Sequence, residues 1–305
     1  MLLRFAAVAA ALLASSCINW SRFHGPENVI DAIDARDAVD DFAATDADAV
    51  VEDIGDAATV DIATDRVCTT TAAPDYCATI PALANAPVLD GVLECGVPLQ
   101  RFTAADYYPV NGPLPAGLVA SFATAWRPDG FYVYGQLAGS NDDPAVLPEG
   151  AYCGDDLEIY VDHDGVNGAL PGYDSVGTRQ LLIAAPPRGM ATGGFAQIYR
   201  DRMFQSAWAV TRWTSQRVGG VVYFEALVAA TDLGLSTWTL AAAQQVGFDI
   251  GMTLGTGGVP DAGTTDAGTC HHILGHLYFR LAPGDASCIQ PSCSPLAFCA
   301  PTLAP

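Results

Sequence analysis

Apolar and polar residues alternate along two neighbouring stretches in the middle of the chain, Phe131 to Leu137 and Asp156 to Asp162. Successive side chains of a β-strand point to opposite faces of its sheet, so this period of two predicts two half-buried strands. In the second stretch the apolar residues point to the core: Leu157, Ile159 and Val161. The residues between and after them share the outer face: Glu158, Tyr160 and Asp162.

Short alternating runs separated by Gly, Pro and Asp continue through most of the remaining sequence. They predict strands at Leu118 to Trp126, Gly130 to Leu137, Asp156 to Asp162, Arg179 to Ala184, Ala196 to Phe204, Ala207 to Thr214, Val221 to Val228, Val246 to Leu254 and His276 to Leu281. No long stretch has helical spacing. The pattern therefore predicts an all-β protein, a β-sandwich of the jelly-roll or immunoglobulin-like kind.

The outer face of the second strand combines a glutamate with an aromatic residue. A carboxylate accepts hydrogen bonds from hydroxyl groups, and a ring stacks on the apolar face of a sugar, so this face is a candidate sugar-binding surface. Two alternatives stay open. The face is an ordinary polar strand surface, or Asp156 acts with Glu158 or Glu225 as the carboxyl pair of a hydrolase of O-glycosyl bonds. We expect a non-catalytic protein.

The first residues form a leader with one arginine and an apolar run too short to span a bilayer. The sequence Leu-Ala-Ser-Ser-Cys resembles a bacterial lipobox, which predicts a signal peptide over residues 1–16 and lipidation at Cys17. The alternative is ordinary cleavage near Ser16, with Cys17 left free or paired. The lipobox places the protein outside the cytoplasm, anchored by lipid to the cell envelope and facing the periplasm or the surface.

Residues 17–66 contain a stretch rich in aspartate, with Arg36 as its only basic residue from Asn28 to Asp65. Such a stretch buries too little apolar surface to offset its chain entropy, so we expect a disordered acidic tether. Residues 67–285 would form the sandwich and residues 286–305 a tail rich in Cys and Pro. The net charge of −21 makes binding of nucleic acid improbable.

The chain has nine cysteines, and the predicted lipidation sets Cys17 apart from the other eight. An even number remains, which in an exported protein predicts a disulfide framework. Short loops favour a bond of Cys68 with Cys77 and a pairing among Cys288, Cys293 and Cys299. The competing hypothesis is a zinc site formed with nearby histidines, although no CxxC pair is present.

Several motifs follow one another in a characteristic order: Pro87 to Gly91 (PVLDG), Trp126 to Tyr134, Asp155 to Asp162 (DDLEIYVD), Tyr173 to Arg179, and Tyr223 to Val228 (YFEALV). This order resembles carbohydrate-binding module family 9 and its relatives over roughly Ala86 to Leu281. The resemblance implies a β-sandwich that binds polysaccharide ends or oligosaccharides, with calcium as structural support. A role in carbohydrate catabolism is expected.

Carried over by the resemblance, Asp156 and Glu158 would accept hydrogen bonds and Arg179 would donate them to ring hydroxyls. The aromatic contacts would come from Tyr152, where the family often has tryptophan, and from Trp126. The missing tryptophan keeps a second interpretation open, in which a structural or protein-binding lipoprotein has lost its sugar site.

Acidic residues at alternating positions precede a turn after the DDLEIYVD strand. Asp162, Asp164 and Asn167 have the oxygen spacing of a calcium loop, although calcium takes six to eight oxygens and other segments must contribute. The alternative is an acidic turn. Related sandwiches bind haem, but there is no CxxCH motif, and no glycine loop of the phosphate-binding kind is present. We therefore expect neither haem nor nucleotide.

Overall fold

The structure, a computed structural model, describes residues 75–141, 154–162, 178–187, 189–200, 203–207, 211–233, 239–256, 273–279 and 298–305. Fourteen strands lie in these ranges: β1 Thr79–Ile80, β2 Gln100–Arg101, β3 Tyr107–Pro109, β4 Val119–Arg127, β5 Gly130–Ala138, β6 Asp156–Asp162, β7 Thr178–Ala184, β8 Ala196–Arg200, β9 Met203–Ala207, β10 Arg212–Val218, β11 Val221–Ala229, β12 Gly247–Gly255, β13 Ile273–Tyr278 and β14 Thr302–Leu303. The one helical element in this part of the chain is a 3-10 turn, Ala104–Asp106.

Two antiparallel sheets contain almost all of these strands. The five-stranded sheet has the order β10-β11-β5-β4-β2, and the seven-stranded sheet has the order β3-β13-β12-β6-β7-β8-β9. Their inner faces share one apolar core, in which Phe131 of β5 lies 5.6 Å from Phe248 of β12, measured between ring centroids. The predicted β-sandwich is confirmed. Among the described residues, no helix is long and apolar enough to cross a membrane.

Most strand predictions are confirmed to within a few residues, and β6 begins and ends where the alternation places it. The stretch from Ala196 to Phe204 differs, because it forms two strands and not one. Arg200 of β8 pairs with Met203 of β9, so the chain reverses between them. No glycine or proline stands there to signal a turn.

One edge of the sandwich is closed by residues 298–304, which we call the C-terminal strap. The strap pairs in parallel with β1 through β14 and exchanges backbone hydrogen bonds with Phe248 of β12. Residues 81–83, just after β1, bond in turn to Trp126 at the end of β4. Backbone hydrogen bonds therefore connect the five-stranded sheet to the seven-stranded sheet through β1 and the C-terminal strap. The strap lies within residues 286–305, which the sequence predicts to be a separate tail.

A disulfide joins the two segments of this edge, Cys77 to Cys299, across 222 residues of sequence. The expected bond of Cys68 with Cys77 is therefore wrong, as is a pairing of Cys299 with Cys288 or Cys293. The preference for short loops failed because the fold brings β1 and β14 side by side. Cys95 is also disulfide-bonded.

Candidate functional site

The outer face of the seven-stranded sheet carries a group of polar residues at its centre. Strand pairing places Thr253 of β12 directly between Asp156 of β6 and His276 of β13. One step along, Gly251 lies between Glu158 and Tyr278. Successive side chains of a strand point to opposite faces of the sheet, and the residues next to these in sequence point to the core. These residues therefore point away from the core.

Glu158 is the centre of a hydrogen-bond network on this face. Thr253 Oγ1 donates to Glu158 Oε1 at 2.7 Å, and the hydroxyl of Tyr160 donates to Glu158 Oε2. Gln180 Nε2 in turn donates to the Tyr160 hydroxyl oxygen at 3.2 Å. Glu158 is only 2% exposed, so its removal from water raises the pKa of its carboxyl, while the bonds from Tyr160 and Thr253 oppose the shift.

Asp156 is the second carboxyl of the network. Its Oδ1 accepts a hydrogen bond from the Thr253 backbone N–H at 3.1 Å, and its Oδ2 is buried without a hydrogen-bond partner in the described part of the chain. Burial first, and the charge of Glu158 second, raise the pKa of Asp156 well above its ordinary value. Two buried carboxyls with raised pKa values favour uptake of a proton by the pair.

His276 is the least buried member of the network. Its Nδ1 lies 3.0 Å from Thr253 Oγ1, so Thr253 connects the imidazole ring to Glu158. Packing around the ring lowers the pKa of His276 to about 4, although the residue as a whole stays partly exposed. The ring is therefore neutral at physiological pH and can donate from one nitrogen and accept at the other.

Aromatic rings surround the network. The His276 ring stacks on Tyr278 with centroids 5.3 Å apart, and Tyr160 packs against both Tyr278 and Phe298 of the C-terminal strap. Half-buried Tyr108 of β3 packs at the rim of this cluster. Gly251 allows the close approach of Tyr278, since a Cβ at that position would lie 2.7 Å from the ring.

The structure brings together only some of the residues selected from the sequence. Asp156 and Glu158 share one face, as the alternation predicted, but that face is covered rather than exposed to solvent. Arg179 pairs with Val161 in the register of β6 and β7, so it points to the inner face, opposite to Glu158. Trp126 is part of the core and donates from Nε1 to the Ala304 carbonyl oxygen at 2.7 Å.

The remaining predicted residues are mostly outside the described part of the chain. This holds for Tyr152, Asp164, Asn167 and Cys17. Asp162 is described and is fully buried at the end of β6, opposite Gly247. The described residues contain no group of three or more His, Cys, Asp or Glu side chains arranged for a metal ion. Calcium binding stays a prediction.

Thr253 and His276 were not selected as binding residues from the sequence. In the sequence, Thr253 is an ordinary residue of the GFDIGMTL strand. His276 is a candidate ligand only in the hypotheses of a metal or haem site. Alternation places each on an outer face, but only the strand order puts them beside β6. That order was not available from the sequence, because β12 and β13 are far from β6 along the chain.

A second buried glutamate lies on the outer face of the five-stranded sheet. Glu225 of β11 accepts a hydrogen bond from the hydroxyl of Tyr132 at 2.8 Å and another from the backbone N–H of Gly91 at 2.7 Å. The Tyr132 oxygen accepts in turn from the backbone N–H of Glu94 at 3.1 Å. These bonds attach the loop that contains the PVLDG motif to the sheet.

The glycine of the PVLDG motif allows this loop to lie close to the five-stranded sheet. Gly91 has φ +79°, a conformation that favours glycine, and a Cβ there would overlap Gln216. Gln216 Nε2 donates to the Asp90 carbonyl oxygen. Burial raises the pKa of Glu225 to about 7, with contributions from the charges of Asp90 and Glu94.

No protein-family model and no curated protein matches the sequence. Among solved structures, the chain is similar to a carbohydrate binding module family 9 (CBM9) from Caldicellulosiruptor kristjanssonii in complex with cellotriose. The identity is 15%, the match covers 74% of this chain and 93% of that chain, and the TM-score is 0.48. A CBM9 structure from the same organism in complex with glucose matches at 16% identity, covering 74% and 95% of the two chains, with a TM-score of 0.47.

Proposed function

We propose that this sandwich is a non-catalytic carbohydrate-binding module that contacts a neutral mono- or oligosaccharide at the outer face of the seven-stranded sheet. The observation that supports it is the network of Asp156, Glu158, Thr253 and His276 beside the stacked rings of His276 and Tyr278. Carboxylate and imidazole groups bind hydroxyls, and tyrosine rings bind apolar sugar faces. The contact would begin at the partly exposed rim, His276 and Tyr108.

A binding role fits the two carboxyls better than hydrolysis does. A glycosidase needs one carboxylic acid and one carboxylate, and active sites of this kind push the two pKa values apart. Here both carboxyls are buried, with Asp156 at 0% and Glu158 at 2% exposure, so neither is placed to reach a glycosidic bond directly. Both also project from one strand onto one face, rather than from two sides of a substrate.

The sequence supports a wider setting for this module. We propose that a lipid on Cys17 anchors the protein to the cell envelope, that residues 17–66 act as the tether, and that the module serves carbohydrate catabolism. Calcium, held by Asp162 together with Asp164 and Asn167, would support the structure and take no part in binding the sugar. A structural or protein-binding lipoprotein is the alternative.

Isothermal titration calorimetry tests the proposal directly. The full chain is titrated with glucose, cellotriose and other neutral sugars, with calcium and with EDTA. We expect saturable binding, and we expect Glu158→Gln to weaken it about fivefold, since one good hydrogen bond contributes about 1 kcal/mol. The matched control is Glu225→Gln, the same change on the opposite sheet, which should leave the affinity unaltered. A folded protein that binds none of these sugars would favour the structural alternative.

A further inference from the structure

We propose that Thr253 relays the protonation state of Glu158 to His276, so that the outer ring nitrogen of His276 accepts a hydrogen bond when Glu158 is ionised and donates one when Glu158 is protonated. His276 would then be a specificity-determining contact and Thr253 a positioning residue. The part of the proposal that concerns sugar rests on the proposed function, whereas the relay itself does not.

The relay follows from the single proton of the Thr253 hydroxyl. While Glu158 is ionised, that proton lies on the 2.7 Å bond to Glu158 Oε1. The Thr253 oxygen can then meet His276 Nδ1, 3.0 Å away, only by accepting a hydrogen bond from it. The ring proton is held on Nδ1, and Nε2 presents a lone pair, since a neutral imidazole carries one N–H.

Protonation of Glu158 at Oε1 reverses each of these bonds. The carboxyl O–H donates to Thr253, the Thr253 hydroxyl turns its proton towards His276 Nδ1, and the ring proton resides on Nε2. The protons balance: Nε2 takes one proton from water, the proton on Nδ1 passes to the Thr253 oxygen, and the former Thr253 hydroxyl proton passes to Glu158. The net change is one proton gained by Glu158 and a change of tautomer at His276.

The other oxygen of Glu158 is less suited to take this proton. Gln180 donates to the Tyr160 oxygen, so the Tyr160 hydroxyl proton is directed to Glu158 Oε2. Oε2 is therefore already engaged as an acceptor, which leaves Oε1. The Thr253 hydroxyl also contacts the Asp156 carboxyl, so three polar groups surround it: Glu158, His276 and Asp156.

Asp156 competes with Glu158 for the first proton. It precedes Glu158 on the same face of β6, its pKa is also raised, and the two carboxyls titrate as a pair. The other titratable groups on this face are Tyr160 and Asp162 of β6, Asp249 of β12, His276 and Tyr278 of β13, and Tyr108 of β3, and Asp155 precedes β6. The Asp156→Asn change removes the competing carboxyl, so a tautomer change that this variant retains belongs to Glu158.

His276 is partly exposed, and within the described part of the chain its ring is hydrogen-bonded at Nδ1, so we take Nε2 as the ring nitrogen that a ligand would contact. With Glu158 ionised, Nε2 takes a hydroxyl donor. A deoxyfluoro or O-methyl sugar, which only accepts at the altered position, can satisfy Nε2 only after Glu158 is protonated. The discrimination between a hydroxyl and its fluoro analogue should therefore be larger at higher pH.

Nuclear magnetic resonance measures the tautomer without any ligand. Long-range 1H–15N spectra of the full chain are recorded from about pH 5 to about pH 8, where His276 itself stays neutral. The His276 signals are assigned by their loss in His276→Gln. We expect a change from the Nε2–H form to the Nδ1–H form as pH rises. Thr253→Val should abolish the change, whereas Thr253→Ser and Asp156→Asn should retain it.

A single tautomer across the range in the unaltered protein, or a change that survives in Thr253→Val, would overturn the relay. Titrations with glucose and its fluoro analogues then test the contact. We expect His276→Gln to weaken glucose binding about tenfold and to remove its pH dependence. A tautomer change without any sugar binding would leave the relay standing and refute the proposed function. Sugar binding that is indifferent to His276 would refute the contact.

Discussion

The two outer faces of the sandwich each bury a glutamate beside a tyrosine, but they use it differently. On the five-stranded sheet, Glu225 binds a backbone N–H of a loop, so the carboxyl holds one segment of chain against another. On the seven-stranded sheet, the hydrogen bonds of Glu158 with the described residues come from side chains, and its network ends at partly exposed His276. A buried carboxylate therefore indicates function only when its partners lead towards solvent and not into the backbone.

The largest expected effect comes from removing the structural glutamate. Glu225→Ala leaves the Tyr132 hydroxyl and the Gly91 N–H buried without their acceptor, so we expect the free energy of unfolding to fall by about 3 kcal/mol. Urea denaturation measures it. Sugar affinity, determined where the variant is still folded, should be unchanged. A loss of affinity at unchanged stability would reverse the roles that we assign to the two faces.

The pH dependence of the free energy of unfolding tests how the buried carboxyls on the two faces titrate. The pKa of Glu225 is about 7 in the folded protein and 4.5 ordinarily, so its contribution is fully present below about pH 4.5 and is lost as the pH rises through about 7. The unfolding free energy should fall across this window by up to about 3 kcal/mol from Glu225 alone. Asp156 and Glu158 act in the same direction.

The difference between the unaltered protein and Glu225→Gln isolates the Glu225 share, because glutamine does not titrate. Denaturation curves at several pH values for both proteins should diverge towards low pH, where the unaltered protein gains its extra stability. Parallel curves would show that Glu225 does not take up a proton on folding.

The smallest expected effects come from deleting one hydroxyl on each face. Tyr132→Phe removes a donor to Glu225 and also the acceptor of the Glu94 N–H, so we expect a loss of about 2 kcal/mol. Tyr160→Phe likewise removes a donor to Glu158 and the acceptor of the Gln180 side-chain N–H, so we expect a comparable loss of about 2 kcal/mol and a higher pKa for Glu158. Thermal unfolding measures both losses. A much smaller loss for Tyr160→Phe would mean that the two glutamates are held differently.

The sequence predicted the strands and the sheet faces better than it predicted the site. Alternation located β6 and the orientation of Glu158, because a period of two is a local property of the backbone. The resemblance assigned Arg179 to the site, but Arg179 alternates with Gln180 and lies on the inner face with Leu181 and Ile183. The sequence could not show that Trp126 is covered by the strap, since that contact joins residues far apart in sequence.

The C-terminal strap has a consequence for how the protein reaches its folded state. The edge between the two sheets joins two segments that are far apart in sequence, β1 (Thr79–Ile80) and residues 298–304. During synthesis, neither the pairing of β1 with β14 nor the hydrogen bonds of Cys299 with Phe248 can form until residues 298–304 have left the ribosome. Contacts of such long sequence separation slow folding, so we expect this edge to be among the last parts of the sandwich to close.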